Sequence, residues 1–378
     1  MTQLFANYLQ NRSLSAITLP GTHDSGCYME SMPLLGRMAR TQTADMAAQL
    51  AGGIRYFDLR PAIAGNGTYW TYHGPGPLYW GDSFDNILRA IINYFTTIRA
   101  ADCELVILNI SHFAGVWNDA MHVRFIEYLR NTLGDRLVQY TQNSATAASN
   151  INLFNANYGQ LLVNPDDNSV KSRVAILYDG AMDQARAPYL SNNRALTLPR
   201  GFFLINKYEI NQTANSLTLF DQYSFESGLD EMMTTQYRKL TQRANRTIAP
   251  AQFDINYPPN PVGGAPSTLH LFSWTCTYWG RSLISSIVDR AANDINPHLK
   301  RFFVRDPLNR VPSWSYHPER DPKINIIYTD HFASAMSNTF AAGHPDQCLG
   351  QMAMPVALAA KLNKYGAGAQ AWSGWEGW

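Results

Sequence analysis

Charge is what this sequence has least of. Asp, Glu, Lys and Arg make up 16% of its 378 residues, against about 25% in ordinary globular chains. The net charge is +1, which argues against a nucleic-acid binder held by phosphate neutralisation. The same balance gives little whole-protein attraction to an anionic membrane. Four cysteines (Cys27, Cys103, Cys276 and Cys348) are widely spread with no C-x-x-C pair, so neither a zinc site nor a dense disulfide framework is expected. Cys27 lies close to His23, but no Cys-His pattern marks it as a nucleophile. No apolar run approaches the length of a transmembrane helix. Residues 1–10 lack the basic and apolar regions of a signal peptide. Dinucleotide-binding and P-loop glycine fingerprints are missing too, as are internal repeats and any linker that would split the chain.

What is present begins with core-forming residues: 46% are apolar, enough for a sizeable core, in a chain long enough for one large domain or two ordinary ones. Strand and helix patterns alternate along the chain. Residues 17–19 have the character of a buried strand end, stopped by Pro20-Gly21. A helix is expected over 34–50 and a stronger one over 84–98, where Phe84, Ile87, Leu88, Ile91, Ile92 and Phe95 keep helical spacing. Residues 104–111 form a near-continuous apolar run, the mark of a parallel strand covered on both faces. Further helices are expected over 119–133, 225–245 and 283–299. Further strands are expected over 174–178, 201–206, 269–275 and 324–331, with irregular loops over 141–158 and 249–267. Polar residues gather after the strands, which predicts a (β/α) barrel with its site on the C-terminal face.

Three stretches carry the chemistry. Thr22-His23-Asp24-Ser25 places a histidine beside a carboxylate at a turn after a strand. Alone, such a pair reads as a structural hydrogen-bonding loop. Tyr56-Phe57-Asp58-Leu59-Arg60 then puts Tyr56, Asp58 and Arg60 on one strand face. Asp58 and Arg60 there read as an ion pair, or as a guanidinium aimed at a phosphate. Tyr72-His73-Gly74-Pro75 adds a second histidine at a strand mouth. Two histidines can serve as base and acid while an arginine neutralises a pentavalent phosphorus, which makes a metal-free phosphodiester-cleaving set.

The ordered motifs LPGTHDSG, GIRYFDLR and YHGP resemble the catalytic X region of bacterial phosphatidylinositol-specific phospholipase C. The resemblance runs from about residue 14 to about 335, strongest in the first hundred. It implies a single α/β domain over residues 1–378, a distorted and incompletely closed (β/α) TIM-type barrel, with a Trp-rich tail over about 366–378. It implies cleavage of phosphatidylinositol to diacylglycerol and a 1,2-cyclic inositol phosphate, with His23 as general base, His73 as general acid and Arg60 on the phosphorane. Asp330 would orient His23, Asp24 would support His73, and Asp58 would hold Arg60. Lys171, Arg173, Asp221 and Tyr223 would bind the headgroup, with the register between Lys171 and Arg173 open. The family's lysine after the third strand is missing here, and Ser111 stands near its place. Calcium-using relatives carry a carboxylate where Arg60 stands, so no metal and no cofactor are expected.

The expected partner is phosphatidylinositol in membranes or micelles, met by peripheral contact through Leu78, Tyr79 and Trp80 near the mouth and through Trp372, Trp375 and Trp378 in the tail. A monomer is expected, with no nucleic acid. Secretion follows from the resemblance alone. Two other readings compete: a metal-dependent glycerophosphodiesterase or sphingomyelinase D-type enzyme, and an inactive barrel that binds a lipid headgroup.

Overall fold

The computed structural model describes residues 9–29, 39–74, 79–99, 102–140, 153–178, 200–205, 216–221, 224, 226–245, 268–276, 286–303, 316, 323–334, 336–341 and 344–365. Its strands are β1 (Leu19–Thr22), β2 (Tyr56–Leu59), β3 (Pro61–Ile63), β4 (Tyr69–His73), β5 (Tyr79–Ser83), β6 (Leu105–Ile110), β7 (Arg173–Tyr178), β8 (Phe202–Ile205), β9 (Ser216–Asp221), β10 (Thr268–Trp274), β11 (Ile326–Thr329), β12 (Met336–Ala341) and β13 (His344–Ala353).

Eight of these form a parallel ring in the order β1-β11-β10-β9-β8-β7-β6-β2. This is the (β/α) barrel expected from the alternation of elements, distorted as the resemblance implies. The irregularity of the ring lies in two thin joints: β1 meets β2 through Gly21↔Tyr56 and Thr22↔Phe57, and β8 meets β9 through Leu204↔Ser216 and Ile205↔Leu217. By contrast β6 and β7 pair over six residues, Leu105↔Arg173 to Ile110↔Tyr178. Pro20-Gly21, expected to stop the first strand, lies inside β1 instead. Pro20 brings no N–H to a ladder, and pairing with β2 is confined to the two residues beyond it.

Residues alternate between two environments. Leu19, Tyr56, Leu105, Ile107, Ala175, Leu177, Leu271, Ile326 and Tyr328 fill the barrel interior, joined by Tyr158, Leu161 and Leu162. Tyr158 accepts a hydrogen bond from the Leu105 N–H at the start of β6 (2.8 Å), so these residues plug the N-terminal end. Outward-facing Phe57, Leu59, Val106, Leu108 and Ile110 pack beneath the helices at 84–97 and 119–133.

The helices have readable ends. Ser83 caps Phe84–Thr97 by accepting from the Asn86 N–H, and Asn118 caps Asp119–Leu133 by accepting from the Met121 N–H. The helix expected over 34–50 is reduced to Met46–Ala51, capped by Asp45. The one expected over 283–299 is broken into α-helix at Ile287–Arg290, a π-turn at Ala291–Ile295 and a 3₁₀ turn at Asn296–His298. Pro297 lies in this break and cannot donate to an α-helical ladder. Two elements fall outside the expectations: the antiparallel β12–β13 hairpin and the helix Met354–Tyr365. Residues of that helix pack with both outer clusters. Among the described residues no helix is long and apolar enough to cross a membrane. Cys27, Cys103 and Cys276 are buried free thiols.

A Cβ built at Gly21 would lie 3.0 Å from Tyr328 Cβ, 3.1 Å from Tyr56 Cδ1 and 3.2 Å from Ile326 Cγ2. Gly21→Ala should therefore destabilise the barrel by about 1–3 kcal/mol, read as a lower urea midpoint. An unchanged midpoint would mean that the strand seam yields freely.

Candidate active site

The site lies at the C-terminal mouth and draws on three barrel strands and one side sheet. β1 delivers His23 and Asp24. β2 carries Asp58 and is followed at once by Arg60, and Asp330 follows β11. His73 ends a strand, as expected, and that strand stands outside the barrel: it is β4, the middle strand of an antiparallel sheet ordered β3-β4-β5. That sheet follows β2 directly. It is tied back by the Tyr72 N–H to the Arg60 carbonyl (3.1 Å) and by the Tyr72 hydroxyl to the His112 carbonyl (2.6 Å).

Asp24 is the hub. Its carboxylate is fully buried, with Oδ1 2.6 Å from Arg60 Nε. Oδ2 stands 3.2 Å from His73 Nε2 and 3.5 Å from His23 Nε2. The Asp24 backbone is left-handed, φ 40°, a conformation that Asp tolerates better than most residues. Its N–H donates to Asp58 Oδ2 (3.3 Å), and the same oxygen accepts from Arg60 (3.3 Å). On the other side His23 Nδ1 is 2.7 Å from Asp330 Oδ1, which leaves Nε2 facing the site. The two imidazole rings stand edge-on, centroids 5.9 Å apart. His23 also packs edge-on against Tyr328.

Two carboxylates, Asp24 and Asp58, thus pair with the Arg60 guanidinium, and a third, Asp330, pairs with His23. Burial pulls His23 down, but Asp24 and then Asp330 outweigh it and lift its pKa to about 9. For His73 burial comes first, followed by the positive charges of Arg60 and His23, and its pKa falls to about 3. The proton of the free site therefore rests on His23. An Arg60 nitrogen 2.8 Å from His23 Nε2 can donate there only when His23 is neutral. The cluster thus holds two competing arrangements. Burial and the nearby Asp24 push the Cys27 thiol far up, which removes it as a thiolate.

His23, Asp24 and His73 bring donor atoms within 4.8 Å of one another, close enough to converge on a metal ion. Arg60 is bonded to the same Asp24 carboxylate, so a dication there would meet a guanidinium as neighbour.

The sequence missed the residues that orient this cluster. Gln42 Nε2 donates to the His23 carbonyl (3.1 Å) and the Thr329 carbonyl (2.9 Å), joining β1 to β11. Gln49 donates to the Ser25 carbonyl (2.9 Å) and accepts from Thr22 Oγ1 (2.7 Å). Asn296 donates to the Asp330 carbonyl (2.7 Å). All three are buried. A trace of this was visible in Gln49, a polar residue beside Leu50 on an apolar helical face.

Other expected residues lie elsewhere. Arg173 begins β7, at the plugged end of the barrel. It is buried, with its guanidinium donating to the Leu162 and Asp135 carbonyls. Lys171 is exposed and pairs with Asp135 (2.9 Å). Neither reaches the mouth, because the polar run sits before the strand rather than after it. Asp221 ends β9 on the mouth side, while Tyr223 lies outside the described residues. Tyr79, expected at a membrane surface, is buried and its hydroxyl donates to the Met29 carbonyl. Trp80 is half-buried. Leu78, Trp372, Trp375 and Trp378 lie outside the described residues.

No family model matches the chain. It is 29% identical over 153 residues to PI-PLC X domain-containing protein 3 of Danio rerio, a match that covers 33% of this chain and 44% of that protein. Over 63 residues it is 33% identical to the 1-phosphatidylinositol phosphodiesterase of Staphylococcus aureus strain Newman, covering 17% of this chain and 20% of that one. The chain thus spans less than half the length of these curated relatives. Superposition on a solved phosphatidylinositol-specific phospholipase C of S. aureus gives a TM-score of 0.55 at 13% identity, covering 95% of this chain and 97% of that chain. At that identity the likeness is one of fold. The chain is therefore similar in sequence to PI-PLC X-domain proteins and shares the barrel fold of the bacterial phosphatidylinositol-specific phospholipases C.

Proposed function

We propose that this chain is a phosphatidylinositol-specific phospholipase C that releases diacylglycerol and a 1,2-cyclic inositol phosphate without a metal. One observation carries the reading: two histidines and a guanidinium meet on one buried carboxylate, Asp24. His23, aligned by Asp330 through Nδ1, takes the proton of the inositol 2-hydroxyl as its oxygen attacks phosphorus. Arg60, held by Asp24 and Asp58, neutralises the phosphorane oxygens. The bond to the glycerol oxygen then breaks, and His73 supplies the proton to that oxygen. Each acid or base contribution is typically worth ~10²–10⁴ in rate.

This sequence of steps needs the proton on His73, whereas the free site charges His23. A phosphodiester on Arg60 brings the negative charge that His73 lacks. Asp24 Oδ2, within 3.5 Å of both Nε2 atoms, gives the proton a path between the rings. The enzyme would be a secreted monomer making peripheral contact with the lipid surface. Convergence of His23, Asp24 and His73 donor atoms supports a second reading, a metal-assisted phosphodiesterase.

Phosphatidylinositol in detergent micelles, followed by phosphorus NMR in excess EDTA, separates the two. Cyclic phosphate is expected from the wild type, none from His23→Ala, and a loss of ~10²–10³ in kcat from Arg60→Ala. Activity only after a divalent cation is restored would overturn the role given to Arg60.

The pH profile tests His23 itself. As base, it is competent in the free enzyme only after losing its proton, so kcat/KM should climb with pH toward about 9. Asp330→Asn removes one carboxylate that raises this pKa and should move the climb to lower pH. A profile that does not move would assign the titration to another group.

A further inference from the structure

Thr41 and Gln42 belong to no strand or helix, yet they touch both halves of the acid–base cluster. The ladder between β1 and β11 ends at Thr22↔Thr329, with one more bond from the His23 N–H to the Thr329 carbonyl (3.1 Å). Each chain then turns through a left-handed residue, Asp24 at φ 40° and His331 at φ 42°. That conformation is uncommon outside glycine, so both turns need to be held. Thr41 holds both. Its N–H donates to the Cys27 carbonyl (3.0 Å), its hydroxyl donates to the Asp24 carbonyl (2.9 Å), and its own carbonyl accepts from the His331 N–H (2.7 Å). Gln42 repeats the grip. Its amide donates to the His23 and Thr329 carbonyls, and its Oε1 accepts from the Phe332 N–H (3.3 Å). Both residues are fully buried. The hydrogen bond between His23 Nδ1 and Asp330 Oδ1 crosses from one turn to the other, past the end of the ladder.

We propose that Thr41 and Gln42 are positioning residues, which clamp the two turns together so that Asp330 meets His23 and the Asp24 carboxylate meets Arg60 and His73. The inference rests on the phosphodiester-cleaving reading above and adds to it two residues whose side chains bond backbone alone. They act on different members of the cluster. Thr41 grips the Asp24 turn at both ends, a turn that the Cys27 N–H closes onto the Asp24 carbonyl (2.8 Å). Gln42 grips the backbone of His23 on one side and of Thr329, next to Asp330, on the other. A displacement of ~1 Å in such a cluster is enough to cost about a hundredfold in rate.

Steady-state kinetics of near-isosteric variants on phosphatidylinositol micelles test this, with urea midpoints measured beside them. Thr41→Val keeps the shape and loses the hydroxyl, whereas Thr41→Ser keeps the hydroxyl. Thr41→Val should lower kcat about 10- to 100-fold with KM within about threefold, and Thr41→Ser should recover most of the loss. Gln42→Met keeps the length and loses the amide. The charged and titratable groups facing His23 are Asp24, Asp330, Arg60 and His73, and Gln42 secures the approach of Asp330. Gln42→Met should therefore lower kcat and move the rising limb of kcat/KM to lower pH. Added to Asp330→Asn, it should cost little beyond Asp330→Asn alone, as residues acting as one unit do. A merely structural role would lower the urea midpoint and leave the kcat and the pH limb of the folded enzyme in place. Wild-type kcat in Thr41→Val, or an unmoved limb in folded Gln42→Met, would overturn the inference. If Gln42→Met does not fold, the Thr41 pair decides, and equal rates in the Val and Ser variants would overturn it. If the wild type does not cleave phosphatidylinositol, the phosphodiester reading fails by itself. The proton NMR signal of the His23–Asp330 hydrogen bond, identified by its loss in His23→Ala, then decides the clamp: it should shift or vanish in Thr41→Val and Gln42→Met, and an unmoved signal in both would sink the proposal.

Discussion

A buried carboxylate sets the terms for the mouth of this barrel. Asp24 has no access to water, and an isolated carboxylate in such a place would be neutralised rather than tolerated. Its burial is offset by a guanidinium nitrogen 2.6 Å away and by two imidazoles that approach its other oxygen. Each of those partners comes from a different element, so one side chain holds β1, β2 and the side sheet in a common geometry. The cost of burying Asp24 is met by the same groups that the proposed chemistry employs.

Around this hub the barrel separates two polar regimes. Its plugged end carries structural ion pairs and backbone-capping guanidiniums, such as Arg173 on the Leu162 and Asp135 carbonyls. Its open end gathers the ionisable groups, with Asp24 and Asp58 on Arg60 and Asp330 on His23. Neutral amides then fix the backbone under the charged residues: Gln42 beneath His23, Gln49 beneath Ser25 and Asn296 beneath Asp330. Amides suit this task because they donate and accept without adding charge.

Much of this was legible beforehand, and unevenly. The apolar run of β6 and the spacing of Phe84, Ile87, Leu88 and Ile91 announced a strand and a helix, since burial imposes period and length directly. His23, Arg60 and His73 were legible because three short motifs fall in one order. What failed depends on long-range placement. Lys171 and Arg173 form a basic pair next to a strand, and the sequence does not show which end of that strand faces the mouth. Tyr79 has an amphipathic side chain suited to a lipid surface, yet a backbone carbonyl fifty positions earlier in the chain, that of Met29, claims its hydroxyl. The pairing of β12 with β13 was invisible because its antiparallel register is irregular and no tight Asn-Gly or Asp-Gly turn announces it.

The thin joint between β1 and β2 gives the charged cluster a second meaning. Only two residue pairs stitch that seam, and immediately above it Asp24 on one side grips Arg60 on the other, while Asp58 reaches back to the Asp24 N–H. The ions that shape the mouth therefore also act as the clasp of the ring. A substitution that breaks this clasp therefore loosens the barrel at its working end, so that loss of function and the opening of the fold begin at the same place.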